Sequence, residues 1–323
     1  MTELPQLFLS REAQRLGADR ELRQLRIRGD AVRVATGVYV STSAWSLLDV
    51  DERYRLRVLA ASQISDPLAQ FSHDSAAAMW RLPSIGPWPH ITHELTAPSP
   101  GGTSRVGIRR HGLGLDPHPE TVDGVTVTSL ARTLVDMSCS TSFVRAVAMV
   151  DAGLGEAGDP AAPTKQDLHG LMDELAPYRG LGRAVRVVEF ASAASGSPGE
   201  SFARVQFRAL GYPDPELQVE FFDERGSIGF ADFFWRELGL IGEFDGRSKY
   251  GRLRKFQSEM TLEQILLSEK EREDRMRRVS RSFVRLDWAR VSNRRALADF
   301  LRPHGLIERG RSTKLFREPI SAW

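Results

Sequence analysis

Charged residues interrupt an apolar stretch, ADFFWRELGLIGEFDGRSKY at residues 231–250, and this stretch constrains the fold more than any other part of the chain. Its pattern predicts two buried strands, with Asp232 in the first, Glu243 and Asp245 in the second and Lys249 just beyond. Burying an unpaired charge costs on the order of several kcal/mol. These side chains are therefore expected to have partners of opposite charge.

The spacing of the acids favours a shared metal site. Strand residues two apart point to the same face, so Glu243 and Asp245 lie together, and a hairpin brings Asp232 beside them. Converging carboxylates are the hard oxygen ligands that Mg²⁺ or Mn²⁺ binds, and Lys249 could steady a phosphate oxygen or an attacking water. Ordinary interpretations stay open, because Asp245 precedes a glycine as many turn residues do and Lys249 could be solvated.

A helix is predicted to begin at SPGE, residues 197–200, with Ser197 as its cap and Pro198 in its first turn. Glu200 then has two interpretations, as the glutamate of a capping box or as an acidic contributor to the same site. Further along, the pattern predicts strands in ELQVEFF, IGFADFFW and LIGEFDG, a long helix over 261–278, a strand in SFVRLDW and a closing helix.

The N-terminal residues predict two short helices, capped by Ser10 and Asp19, and then a hairpin that turns at Thr36-Gly37. Leu22 and Leu25 form the expected inward stripe of the second helix. This order of elements is that of a winged helix-turn-helix, in which the second helix enters the major groove of DNA and the wing contacts phosphates. The candidate DNA-contacting residues are Arg20, Arg23, Gln24 and, in the hairpin, Arg33. A small packing unit with a solvated arginine face is the alternative.

Composition predicts a globular protein of two or three domains, since 41% of the 323 residues are apolar and 27% are charged. We expect an α/β multidomain chain whose limits are 1–45, 46–155, a connector at 156–194, 195–310 and a tail at 311–323. The sequence has neither a run long enough to span a membrane nor the pattern of a signal peptide, so we expect a cytoplasmic protein without a membrane partner.

Cysteine and histidine give little sign of a metal site. Cys139 is the single cysteine, which excludes an intrachain disulfide and a thiolate cluster. His90 and His93 are three residues apart in a predicted strand, where they would point to opposite faces, so ordinary surface or core histidines are favoured. The net charge is only +2. A nucleic acid would therefore be met by local basic patches, such as the arginine-rich C-terminal stretch that contains Arg285.

Residues 197–305 resemble the restriction-endonuclease-like nucleases of the PD-(D/E)xK superfamily, and most closely the branch similar to very-short-patch-repair endonucleases. The matching motifs, in order, are DFFW at 232–235, EFDG at 243–246 and KY at 249–250. The resemblance implies a central mixed sheet and Mg²⁺-dependent hydrolysis of DNA, with Asp232 and Glu243 as metal ligands and Glu200 as a helix-borne acid. The superfamily has lysine where this chain has Asp245, which makes Asp245 a candidate third ligand and Lys249 a candidate replacement for that lysine.

Residues 8–155 resemble the AbiEi-type antitoxins of type IV toxin–antitoxin systems. The matching stretches include REAQRLG, GVYV, SHDSAAAMWRLP, GVTVTSLARTLVDMS and VDAGL. In that family a winged helix binds operator DNA, and a second domain takes part in neutralising a toxin. Two functions are therefore expected: a DNA-directed endonuclease in defence or repair, or a non-enzymatic repressor with a toxin encoded by a neighbouring gene. The sequence leaves the oligomeric state open.

Overall fold

The computed structural model describes residues 4–97, 106–154, 162–246 and 262–308. These residues form a mixed α/β structure with three β-sheets, which agrees with the predicted α/β class. Lys249, the tail at 311–323 and residues 155–161 of the predicted linker lie outside the described residues. None of the helices in the described part is long and apolar enough to cross a membrane.

The chain divides into two compact units, and each unit combines two stretches of sequence. The first unit contains residues 1–141 and 160–189, and the second contains residues 142–159 and 190–323. A helix from the middle of the sequence thus belongs with the C-terminal half. The domain limits drawn from the sequence remain predictions.

The first unit begins with two helices and a three-stranded sheet of order β1-β3-β2. The bounds are β1 (Phe8–Leu9), α1 (Ser10–Arg15), α2 (Asp19–Arg28), β2 (Ala31–Ala35) and β3 (Val38–Ser41). The predicted hairpin turn is confirmed, and Gly37 has a φ of 73°, a left-handed conformation that glycine adopts without strain. Leu22 is buried as predicted, whereas Leu25 is 38% exposed.

The predicted caps of these two helices are wrong by one residue. Ser10 and Asp19 are themselves the first helical residues, and the capping positions are Leu9 and Ala18, which make no side-chain cap hydrogen bond. Leu9 pairs with Val38 in the sheet, so the chain passes directly from strand β1 into helix α1.

The rest of the first unit is built on a five-stranded mixed sheet of order β6-β5-β4-β8-β7. Its core includes Tyr54, Phe71, Met79 and Val127. The elements are α3 (Thr42–Leu47), α4 (Val50–Ser62), β4 (Gln70–Phe71), α5 (His73–Met79), β5 (Thr92–Leu95), β6 (Ile108–His111), β7 (Glu120–Val122), β8 (Val125–Val127) and α6 (Leu130–Ser140), then α7 (Phe143–Gly153) in the second unit, and α8 (Lys165–Glu174) and α9 (Leu181–Phe190).

The second unit contains a four-stranded sheet of order β12-β11-β10-β9, in which β11 and β12 are parallel and the other neighbours antiparallel. Its elements are α10 (Pro198–Ala209), β9 (Glu216–Asp223), β10 (Gly226–Trp235), β11 (Leu240–Phe244), α11 (Leu262–Val279), β12 (Ser282–Leu286), α12 (Trp288–Ser292) and α13 (Arg294–Leu301). The predicted succession of helix, three strands, helix, strand and helix is confirmed.

Helices α10 and α11 carry charged side chains, and apolar packing holds both helices against the sheet. Helix α10 places Phe207 edge-on against Phe233 and Trp235, with ring centroids 5.2 and 5.0 Å apart. Helix α11 buries Met276 in a cluster with Ile241 and other sheet residues. Burial of one such side chain stabilises the fold by roughly 1.5–3 kcal/mol, so both helices are held firmly.

Candidate functional site

A buried polar cluster lies where α10, β9, β10 and β11 meet in the second unit. Its members are Glu200 on α10, Gln218 on β9, Asp232 on β10 and Glu243 on β11. The three acids are 3%, 8% and 7% exposed. The pairing of Phe233 with Gly242 in the hairpin brings the next two residues, Asp232 and Glu243, opposite each other, as the sequence predicted. We call these four residues the carboxylate cluster.

Glu200 makes hydrogen bonds both at the start of its helix and with another side chain of the carboxylate cluster. Ser197 caps α10 by accepting the Glu200 backbone N–H at 3.3 Å, and its hydroxyl donates to Glu200 Oε1 at 2.8 Å. Glu200 Oε2 accepts the Gly196 N–H at 2.8 Å and the Gln218 side-chain amide at 3.2 Å. The carboxylate therefore stabilises the helix start and also belongs to the cluster.

Asp232 is held in place by two donors from neighbouring strands. Its Oδ2 accepts the backbone N–H of Phe244 at 2.8 Å, and its Oδ1 accepts the Gln218 amide at 3.3 Å. Two hydrogen bonds on different oxygens fix the orientation of a carboxylate. Asp232 is thus preorganised beside Glu243.

The sequence analysis missed Gln218. Its side-chain amide bridges Glu200 and Asp232, and its backbone has a φ of 49°, an unusual value for a residue other than glycine. Left-handed backbone of this kind costs about 1–3 kcal/mol and is found most often at functional sites. A lone glutamine in the predicted strand ELQVEFF gave no signal of this role.

Arg272, which the sequence analysis also missed, is the partner of Glu243. The Arg272 guanidinium reaches from α11 and donates to both carboxylate oxygens, at 2.8 and 2.9 Å. Arg285 lies farther away, with its NH2 nitrogen 3.8 Å from Glu243 Oε2, and pairs with Glu273 at 2.9 Å. The carboxylate of Glu243, buried in the second strand of residues 231–250, is therefore paired with a guanidinium.

Burial makes the charge of Glu243 costly in spite of this partner. Desolvation raises the pKa of Glu243 above its ordinary value, the Arg272 guanidinium lowers it, and the neighbouring Asp232 raises it further. The net direction is upward. Buried acids with perturbed pKa values cluster at functional sites, because they need an additional cation or proton to be stable.

Tight packing holds the strand that carries Glu243. A Cβ atom at Gly199, in the first turn of α10, would lie 2.1 Å from the Phe244 ring, so only glycine permits this approach. Trp288 on α12 contacts both the Phe202 ring and the Phe244 ring at centroid distances of 5.4 Å. The motifs SPGE and EFDG are thus in direct contact, which places their two glutamates on one rigid body.

The other predicted site residues are only partly located. Asp245 follows the last residue of β11, and its backbone N–H continues the sheet ladder by donating to Leu286 O at 2.7 Å. Within the described residues, the only group of three metal-binding side chains with ligand atoms all within 4.8 Å of one another is His73, His93 and His111. Asp232, Glu243 and Asp245 do not form such a group. Lys249 lies outside the described residues.

The predicted DNA-contacting side chains of the first unit are exposed. Arg20, Arg23 and Gln24 are exposed on α2, beside Ile27, which is 79% exposed. Arg33 is exposed on β2, and its guanidinium lies 3.4 Å from Ala35 O and from the Thr36 hydroxyl. One face of α2 and the hairpin therefore offer cations and a hydrogen-bonding amide to solvent.

A cluster of three histidines in the first unit was not expected. The sequence analysis considered His90 with His93, but His90 is exposed whereas His93 lies beside His73 and His111. These three residues lie on different elements, far apart in sequence, so spacing along the chain could not reveal them.

Comparison with known proteins shows similarity over only part of the chain. No family model matches the chain. It is similar to two uncharacterized proteins of Mycobacterium tuberculosis, MT2308 of strain CDC 1551 / Oshkosh and Rv2248 of strain ATCC 25618 / H37Rv. Each is 28% identical over 126 residues, which cover 39% of this chain and 45% of the relative. The chain thus spans less than half the length of the curated relatives it matches.

Proposed function

We propose that residues 195–310 form a restriction-endonuclease-like domain of the PD-(D/E)xK kind, which hydrolyses DNA phosphodiester bonds with Mg²⁺ or Mn²⁺. The observation that carries the proposal is the carboxylate cluster. In it Gln218 bridges the buried acids Glu200 and Asp232, and Asp232 lies opposite the buried Glu243 on the next strand. The order of helix, three strands, helix and strand around the cluster supports it. A purely structural core has little use for three buried carboxylates.

The donor set fits a hard divalent ion, because every side chain of the cluster presents oxygen. Asp232 and Glu243 would hold the ion. Asp245, whose carboxylate does not group with theirs within 4.8 Å, would have to come closer to act as a third ligand. When bound, the ion would activate a water and stabilise charge on the phosphate. Each carboxylate has about four lone-pair positions, so the hydrogen bonds to Asp232 leave acceptor capacity.

The protein's own residues prepare this chemistry. Gln218 and the Phe244 N–H orient Asp232, and Ser197 orients Glu200. Arg272 supplies the positive charge that Glu243 needs while no ion is bound. With DNA bound, Arg272 and Arg285 would turn from their carboxylates to the phosphate, to which a guanidinium donates as readily as it does to a carboxylate.

We propose further that residues 1–45 are a winged helix-turn-helix that brings DNA to the protein, with residues 46–155 as an antitoxin-like middle domain. The exposed face of α2 with Arg20, Arg23 and Gln24, and the hairpin with Arg33, support this assignment. They also support the second candidate function, a non-enzymatic repressor of a type IV toxin–antitoxin system. In that case the Glu243–Arg272 pair would be a permanent structural contact.

The two functions are separated by one pair of assays on the same purified protein. With Mg²⁺ or Mn²⁺, the endonuclease should cut at least one of duplex, single-stranded or mismatched DNA, and Asp232→Asn should abolish the cutting. The repressor should instead bind its own promoter without cutting, and Arg20→Ala with Arg23→Ala should weaken that binding. Cutting by Asp232→Asn at the wild-type rate would refute the nuclease assignment.

A further inference from the structure

Three histidines from three elements meet inside the first unit. His73 is the first residue of α5, His93 lies in β5 and His111 is the last residue of β6. His73 and His93 are 4% and 6% exposed, and His111 is half-buried. The strands β5 and β6 are parallel neighbours, and α5 begins at the chain end of β4, which adjoins β5. The fold thus brings the three imidazole rings together.

The ligand atoms of the three rings are close enough to share one ion. Each ring offers one nitrogen, and these nitrogens all lie within 4.8 Å of one another. His93 Nδ1 and His111 Nε2 are 2.9 Å apart, at hydrogen-bond distance. Tetrahedral Zn²⁺ with bonds of about 2.0–2.1 Å needs its ligand nitrogens roughly 3.3 Å apart. These two nitrogens would therefore separate by about 0.4 Å to share an ion.

The outer nitrogens of two rings face groups that would orient them. His73 Nδ1 lies 3.0 Å from the buried Ser72 hydroxyl, which leaves Nε2 as the ligand atom. Asp74 Oδ2 lies 3.8 Å from His93 Nε2, on the opposite side of the ring from His111. A histidine that binds metal through one nitrogen usually meets a carboxylate or another acceptor at the second nitrogen.

The backbone of His73 has a φ of 50°, a sparsely populated conformation for a residue other than glycine. Its ring centroid lies 3.9 Å from that of His111 and 5.8 Å from that of His93.

The rings lie nearly parallel, with interplanar angles of 13°, 14° and 26°. An ion lies in the plane of each imidazole that binds it, so binding requires a ring to rotate about its Cβ–Cγ bond. That rotation is soft for histidine. The half-buried His111 gives an ion access from solvent.

We propose that His73, His93 and His111 bind one divalent transition-metal ion, with Zn²⁺ as the expected ion. Three imidazoles leave a fourth position for water or another ligand. Nitrogen ligands favour Zn²⁺, Co²⁺, Ni²⁺ or Cu²⁺ over Mg²⁺, so this site is chemically distinct from the carboxylate cluster. The site lies wholly within the first unit and does not depend on the proposed nuclease.

The test is a Zn²⁺ titration of the untagged full chain by calorimetry, with excess Mg²⁺ present to saturate oxygen sites. We expect one equivalent to bind in the wild type and in His90→Ala, the exposed control. His111→Ala should lose this binding, and Asp74→Asn should weaken it by roughly 10–100-fold. Circular dichroism shows whether each variant remains folded.

Cobalt provides a readout that needs no variant. Co²⁺ added to the wild type should give the visible absorption bands of a four-coordinate site, and Zn²⁺ should remove them. The proposal is overturned if the wild type binds no equivalent of Zn²⁺ and gives no such bands. It is equally overturned if folded His111→Ala binds Zn²⁺ as the wild type does.

Discussion

Two arginines one helical turn apart on α11 each hold a carboxylate of the sheet, yet the two pairs differ in character. Arg272 donates to both oxygens of Glu243 at 2.8 and 2.9 Å, and Arg275 donates to both oxygens of Asp223 at 2.7 and 2.6 Å. Both pairs are bidentate, but Arg272 donates through its two terminal nitrogens and Arg275 through Nε and one terminal nitrogen. Glu243, however, lies in the buried carboxylate cluster, whereas Asp223 ends β9 at the hairpin with β10.

The surroundings shift the pKa values of the two acids in opposite directions. Hydrogen bonds from Arg275 lower the pKa of Asp223 to about 2, while burial raises the pKa of Glu243 despite Arg272. A bidentate arginine therefore secures a hairpin at one place and only partly offsets desolvation at the other. For this reason Glu243 is the acid at which we propose a second cation, the divalent ion of the proposed nuclease.

The largest expected difference between the pairs is in folding stability. Glu243→Ala leaves the guanidinium of Arg272, which is 25% exposed, without its main partner, and should lower the free energy of unfolding by about 1–3 kcal/mol. Asp223→Ala should cost less, because Asp223 is 20% exposed against 9% for Glu243, and because Arg275 keeps its contacts with the carbonyls of Gly226 and Ser227. Urea unfolding in EDTA, followed by tryptophan fluorescence, measures both. Equal losses would remove the distinction between the two pairs.

Gln218, which bridges Glu200 and Asp232, gives a further test of the difference between the two pairs, because it lies in the same cluster as Glu243. Gln218→Ala removes the amide that donates to Glu200 and Asp232 and should cost about 1–2 kcal/mol in free energy of unfolding. Gln218→Gly removes the same amide but accepts the φ of 49°, so it should be less destabilised than alanine by about 1 kcal/mol. If glycine is no better than alanine, the backbone at this position is not strained.

The smallest expected effect is a pair of opposite pH dependences in the metal-free protein. The folded pKa of Asp223 lies below its unfolded value of 3.8, so its stabilisation is present above pH 3.8 and is lost as the pH falls towards 2. The folded pKa of Glu243 lies above its unfolded value of 4.5, so its contribution is largest below pH 4.5 and declines as the pH rises. Melting temperatures of Asp223→Asn and Glu243→Gln, each compared with the wild type from pH 2 to 7, measure the slope of each acid's contribution to stability against pH. Slopes of the same sign would contradict the assigned environments.

The sequence was sufficient for the order of elements in the second unit and for the meeting of Asp232 with Glu243, since strand periodicity and a short turn determine both. It could not reveal Arg272, which is 29 residues from Glu243 and lies in EKEREDRMRR, a stretch typical of a solvated helix. Only the packing of α11 on the sheet decides which of its arginines points inward.

The histidine cluster was even harder to predict from local sequence patterns than Arg272. His73, His93 and His111 come together through the pairing of β4, β5 and β6, a sheet in which the strands are short and not all antiparallel. Local spacing directed attention to His90, which is exposed. The cap at Ser10 failed for a related reason, because tertiary pairing at Leu9 overrode the local preference. Nothing in the structure explains why α2 begins at Asp19 rather than after it.

The most direct test of the central claim is the rate of DNA cleavage as a function of Mn²⁺ concentration for three proteins: wild type, Glu243→Gln and Asp223→Asn. These substitutions remove the same charge from an arginine-bound acid, one inside and one outside the carboxylate cluster. We predict that the wild type and Asp223→Asn cut with the same metal dependence and that Glu243→Gln does not cut at any Mn²⁺ concentration. Cleavage by Glu243→Gln equal to that of the wild type, or no metal-dependent cleavage by any of the three, would contradict the account.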